Sequence, residues 1–288
     1  MTIIDMQAVL MSKEHGSMFK AQDIMDQLSE TFGSPDQVMR SEEEMIRELR
    51  QFDVKVVFFS GTVKALGWTD FGEIKARNDY FGELKRKYPD VILGAWIAID
   101  PEWGRKGLIE LERCIKDLNL FGVAACGALT GIPSDDKVWH PYYELCIEAK
   151  VPVKIWVGHI AIKGRGIPLW TERPIPHVDR VACMFPDLTI ICAHHPWPFH
   201  HEMTSVLVHY PNVYNEQHGW SPKYFSPRFK KEINSRIQDK VMFGTDYPLF
   251  SYERMLADWN AEGYKPEVLE KVLYKNAQRV FGNLGIKV

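Results

Sequence analysis

Val241-Met242-Phe243-Gly244-Thr245-Asp246-Tyr247-Pro248 holds the pattern on which the rest of the chain is organised. Val241, Met242 and Phe243 are apolar and β-prone, so they read as a short buried strand. Gly244 permits a close backbone approach, and Pro248 stops further pairing. Asp246 falls at the strand's C-terminal end, where a carboxylate needs a metal, a cation or hydrogen-bond donors. The plainer reading is a helix N-cap, but Ser251, just before Tyr252, is better placed for that. A second stretch, Pro186 to Phe199 (PDLTIICAHHPWPF), repeats the pattern. Leu188 to Ala193 is apolar and ends in His194 and His195. Two strands that end in Asp or His imply a shared rim where polar side chains converge.

Composition bounds what such a rim can serve. The chain has 288 residues, 45% hydrophobic and 25% charged, which suits one large globular domain or two small ones. No apolar run reaches the ~18 residues of a membrane helix. The start, MTIIDMQ, lacks a basic region followed by an apolar core, so no signal peptide is expected. Cys114, Cys126, Cys146, Cys183 and Cys192 are far apart and form no CxxC pair. They read as buried free thiols in a reducing compartment, which predicts a cytoplasmic protein. A net charge of −3 and a pI near 6.4 give no reason to expect nucleic acid. Nine tryptophans are many for this length and imply a pocket or an interface.

Outward from the two stretches, strand and helix signals alternate. Expected strands are Thr2 to Met6, Val54 to Ser60, Val91 to Ile99, Phe121 to Cys126, Val151 to Val157, Leu188 to Ala193, Asn212 to Asn215 and Val241 to Thr245. Ser41-Glu-Glu-Glu44 matches a capping box and opens a helix to about Gln51. Further helices are expected over Phe71 to Tyr88, Gly104 to Leu118, Val138 to Lys150, Ile175 to Phe185, Glu202 to Tyr210, Arg228 to Ile237, Tyr252 to Ala261 and Pro266 to Phe281. Residues 10–38 read as a long loop or lid after the first strand. Eight strand–helix units in just under 300 residues predict a single (β/α)8 TIM barrel over residues 1–288, with active-site groups at the strands' C-terminal ends. An open doubly wound sheet is the alternative, but no GxGxxG follows an early strand.

Several segments in this order resemble the amidohydrolase superfamily: FGTDYP at 243–248, FPDLTIICAHH at 185–195, YKNAQRVFG at 274–282, NDYFGELKRKYPDVILGAWIAIDP, and WHPYYELCIEAKVPV. The similar branch is the amidohydrolase-related group that includes aminocarboxymuconate semialdehyde decarboxylase and hydroxybenzoate decarboxylases. The resemblance spans nearly the whole chain. It implies an amidohydrolase-type barrel in which Asp246 binds a divalent metal (zinc, manganese or iron) and His194 is catalytic or a ligand. In that family the first strand ends in an HxH pair, where this chain has Gln7 and Val9. The fifth strand carries a ligand His where this chain has Trp156, with His159 three residues later. A catalytic zinc usually takes three protein ligands and a water. Val9 and Trp156 cannot ligate, and Gln7 is a weak neutral donor. The expected metal set is therefore His194, Asp246 and His159. No lysine matches the carbamylated-lysine position of the fourth strand, FGVAACGAL.

Other side chains carry two readings each. Lys154 alternates with Trp156, so both are expected to point into the barrel. A buried Lys154 would pair with Asp5 or Asp246, an internal ion pair in place of the metal; otherwise it reaches solvent at the lower end. The segment IAIKGRGIPLWTERP brings Lys163, Arg165, Arg173 and Trp170, which would either grip an acidic substrate or lie solvated. Lys154, Trp156 and Arg165 are the expected substrate contacts. The His194-His195 and His200-His201 pairs are adjacent, so their side chains diverge. His140 reads as structural, and His15 and His218 as bystanders near the rim. Glu216 and Gln217 end the seventh strand, where a carboxylate would serve as acid or base.

Two functions follow. One is hydrolysis or decarboxylation of a small carboxylate-bearing molecule at a reduced metal site, with Asp246 and His194 catalytic. The other is a degenerate amidohydrolase-like subunit that pairs with an intact metal-bearing paralogue. A homo- or hetero-oligomer is expected, with neither nucleic acid nor membrane as partner.

Overall fold

In the computed structural model, residues 2–33, 38–162 and 168–288 are described. Eight strands form one parallel sheet in sequence order. They are β1 (Ile3–Val9), β2 (Val54–Phe59), β3 (Ile92–Ala98), β4 (Val123–Ala125), β5 (Val153–Trp156), β6 (Ile190–Ala193), β7 (Val213–Glu216) and β8 (Val241–Met242). Backbone bonds close the ring. The Met6 N–H donates to Phe243 at 3.0 Å, and the Thr245 and Asp246 N–H groups both donate to the Gln7 carbonyl at 3.1 and 2.9 Å. The Val9 N–H donates to Tyr247 at 2.8 Å. The chain is a (β/α)8 barrel.

The strands' two-residue period splits the core into two layers. Val57, Phe59, Trp156, Ile191 and Ala193 pack inside the barrel. Val56, Phe58, Ile155, Ile190 and Cys192 pack outward beneath the helices. The N-terminal mouth is plugged by aromatic rings: Phe121, just before β4, stacks on Phe281 of the helix Asn276–Asn283 at 5.1 Å and meets Trp96 at 5.0 Å. The opposite, C-terminal mouth is left for the site.

Local rules explain several helix starts. Ser41 and Glu44 exchange both bonds of a capping box, and the helix Glu42–Gln51 buries Met45, Ile46 and Leu49. Asp70 caps the helix Phe71–Lys87. Three expectations need correction. Residues 10–33 are not one loop: Met11–Ser12 pairs with Gly16–Ser17, and a helix spans Gln22–Phe32. Its buried Ile24 and Leu28 are one helical turn apart, so the periodicity was present. The helix expected from Ile175 is broken there, where Pro176 holds Ile175 in an extended conformation; a π-helical turn through Val178 then leads into the α-helix Asp179–Met184. The helix expected to reach Ile237 runs Pro227–Ile233.

Candidate active site

At the base of the C-terminal mouth lies Lys154 on β5. Its side chain is fully buried, and the ammonium has three hydrogens and three acceptors. Nζ donates to Gln7 Oε1 at 2.6 Å and to the Met6 carbonyl at 2.8 Å, and pairs with Glu216 Oε1 at 3.0 Å. The Trp96 and Trp156 rings lie 4.9 and 5.6 Å from it. Burial lowers the Lys154 pKa, and Glu216 opposes that. Burial would raise Glu216, but His218 and Lys154 together bring its carboxyl down to about 2. The pair is therefore ammonium and carboxylate. Gly244 makes room for it: a Cβ there would stand 2.3 Å from Glu216 Oε2.

Asp5 lies beside this pair and is equally buried. It accepts from Thr245 Oγ1 at 2.6 Å, Thr245 N at 3.1 Å, Tyr252 OH at 2.9 Å and Gln7 N at 3.0 Å. Burial still pushes its carboxyl up to about 7 against those bonds.

Two arms run from Lys154 to Asp246 at the end of β8. In one, Lys154 takes the Gln7 oxygen, which turns Gln7 Nε2 toward Asp246 Oδ1 at 3.4 Å. In the other, Glu216 accepts from His218 Nδ1 at 2.6 Å, and His218 Nε2 lies 3.9 Å from Asp246 Oδ1. Burial raises the Asp246 pKa, and His218 opposes it. His194 completes the group. Its Nδ1 is 3.2 Å from the His195 carbonyl, so that nitrogen carries the proton and Nε2 keeps its lone pair. Burial first, then His218, lowers the His194 pKa well below its usual value, so the imidazole is neutral. Both His194 and Asp246 adopt positive φ, 81° and 67°. Non-glycine residues in that region store strain, and they cluster at functional sites.

Above these groups is a partly open cavity of about 90 Å³. Its polar side is Gln7, His194, His218 and Asp246, and its other walls include Phe19, Phe32, Phe59, Trp156 and Phe250. A larger groove along Trp197, Trp220 and Tyr224 adjoins it. An apolar pocket with a few converging polar groups is the usual form of a small-molecule site.

The structure brings Asp246, His194 and Trp156 to one cavity and puts Lys154 directly beneath it. Trp156 packs on Phe59 at 4.5 Å. The expected partner of Lys154 was Asp5 or Asp246, and it is Glu216 instead. Asp5 is already saturated by four donors. His159 does not join His194 and Asp246: it lines the outer groove, its ring 5.5 Å from Trp197. Lys163 and Arg165 lie outside the described residues. Arg173 pairs with Glu202 away from the cavity, and Trp170 is exposed. His15 stacks on Tyr80, and His195 on Phe225. His218, read as a bystander, is part of the site. Its signal was the polar run Asn-Glu-Gln-His at the end of β7, the same sign that marked β6 and β8.

Among the described residues, no three His, Cys, Asp or Glu side chains come together as a metal-binding group. The Gln7 oxygen is committed to Lys154. Val9 has no donor atom, and the Trp156 indole offers no lone pair. This donor set does not fit a three-ligand divalent site.

The fold and these residues define a (β/α)8 barrel with a polar-floored cavity at its C-terminal mouth. The amidohydrolase family model matches residues 60–283, and the chain belongs to that family. Among curated proteins none matches. Solved structures share the fold over the full length. An uncharacterised TIM-barrel protein from Bordetella bronchiseptica is 23% identical, with 99% of this chain and 100% of that one covered and a TM-score of 0.75. 2,6-Dihydroxybenzoate decarboxylase from Rhizobium is 17% identical, covering 98% and 99%, with a TM-score of 0.69. 5-Carboxyvanillate decarboxylase from Novosphingobium aromaticivorans, with bound manganese and 3-methoxy-4-hydroxy-5-nitrobenzoic acid, is 16% identical, covering 98% and 97%, with a TM-score of 0.71.

Proposed function

We propose that this amidohydrolase-family chain decarboxylates a small aromatic carboxylate. One observation carries the reading: Asp246 and the neutral His194 stand together on the polar side of an otherwise apolar, ring-lined cavity. Such a cavity suits a planar acid whose charge is lost as it reacts. Asp246 delivers a proton to the ring carbon, the bond from that carbon to the carboxylate breaks, and carbon dioxide leaves. Burial favours the protonated form of Asp246, which suits a proton donor. His194 Nε2 and the Gln7 amide orient the substrate's ring substituents, and the aromatic walls hold its plane. No step is routed through a metal.

The family and the decarboxylase neighbours support the reaction class, and the manganese belongs to the neighbour. The test is turnover of 2,6-dihydroxybenzoate and a panel of related hydroxybenzoates, with esters and lactones to score hydrolysis. In deuterated water the phenol product should carry deuterium at the vacated carbon. Asp246→Asn should lower the rate by about a thousandfold or more. An unchanged rate in that variant, or hydrolysis alone, would overturn the reading.

A second reading is favoured by Gln7, Val9 and Trp156 at three ligand positions: a degenerate subunit beside a metal-bearing paralogue, in a hetero-oligomer. It requires a co-purifying paralogue that restores turnover, with the chain inert alone.

A further inference from the structure

Lys154 is a buried charged group in the barrel that takes no direct part in the proposed reaction. Its cation stands between the ends of β1, β5 and β7, buried completely, with each hydrogen assigned to an acceptor. A metal shell at this end would draw on the β1 and β5 side chains. Here the β1 oxygen of Gln7 already serves Lys154, and Trp156 fills the β5 place against Phe59. A divalent ion beside Asp246 would also compete with the Gln7 amide, whose Nε2 faces Asp246 while its oxygen is held by the Lys154 cation. We propose that Lys154 is the built-in cation of this barrel: the site works without a divalent ion, and Lys154 is the reason a metal is not taken up.

Within this arrangement Lys154 is a positioning residue. It touches neither the cavity nor a substrate. It turns the Gln7 amide so that Nε2 faces Asp246, and it holds Glu216, which in turn holds His218. One ammonium thus orients two of the four polar groups at the cavity.

Metal content tests this independently of turnover. The wild-type chain, produced in medium supplemented with manganese, zinc and iron and dialysed without chelator, should contain far less than one equivalent of each by elemental analysis. Gln7→His/Val9→His restores donor atoms but keeps the cation. It should take up manganese at least about tenfold more weakly than the same variant with Lys154→Met, measured by titration calorimetry. Circular dichroism melts establish folding of each variant, and Lys154→Gln, a neutral side chain with polar atoms, replaces the Met variant if that one unfolds. Near-stoichiometric metal in the wild type, removed by Asp246→Ala, overturns the proposal. So does equal manganese uptake with and without Lys154, or none in either background. A wild type that is metal-free but inactive on every hydroxybenzoate leaves the exclusion of metal by Lys154 standing and sinks the decarboxylase reading instead.

Discussion

A Cβ on Gly219 would stand 2.4 Å from Nε2 of His194, closer than any real contact, and 3.4 Å from Oδ2 of Asp246. Gly219 also has φ +78°, which a side chain resists. The bare backbone after β7 is therefore the floor on which His194 and Asp246 meet. Gly219→Ala should displace His194 and lower turnover by about a hundredfold, the usual result of moving a reacting group by an ångström. Rates at saturating substrate, with a melt to confirm folding, measure it. A variant as active as wild type would show that the His194 position is not needed.

The rim could be read from sequence because β6 and β8 are apolar runs with ionisable residues at one end. Lys154 could be placed inside the barrel for a similar reason, since it alternates with Trp156 on a short strand. Its partner could not. Glu216 is on β7, two strands away, and which carboxylate reaches Lys154 depends on barrel stagger and on the space left by Gly244. Asp5 is equally suitable by sequence, but four donors already occupy it. His218 was placed near the rim but read as a bystander, because nothing in its own position marks it as part of the site. Its role depends on Glu216, the carboxylate two residues earlier.

The buried Lys154–Glu216 pair carries a stability cost if halved. Glu216→Gln leaves an ammonium in the core without its counter-charge, and such breaks typically cost about 3–5 kcal/mol. The pH dependence has a definite sign. The Glu216 carboxyl is depressed to about 2, so its contribution is present above the ordinary glutamate range and is lost as pH falls toward that value. The variant should therefore be less stable at neutral pH and should lose less of its stability on acidification. Urea unfolding at neutral and at acidic pH checks both. An unchanged midpoint at neutral pH would mean that Lys154 finds other compensation.

Glu172 behaves in the opposite way, outside the site. Its side chain is buried, one oxygen accepts from the Ala128 N–H, and the other has no partner among the described residues. Burial pushes the carboxyl up to about 8. The unfolded chain ionises Glu172 near the ordinary value, whereas the folded chain holds its proton until about pH 8. Over that interval the folded state binds the extra proton, so stability falls as pH rises, by up to about 1.4 kcal/mol per unit. Below the ordinary glutamate value and above pH 8 this contribution is flat. Glu172→Gln keeps the Ala128 bond and cannot ionise. It should match wild type near pH 4, exceed it increasingly toward pH 8, and hold that gain above. Chemical denaturation of both proteins across the range reads the difference directly. Parallel curves would mean that Glu172 is already ionised in the folded chain at low pH, with a counter-charge beside its second oxygen.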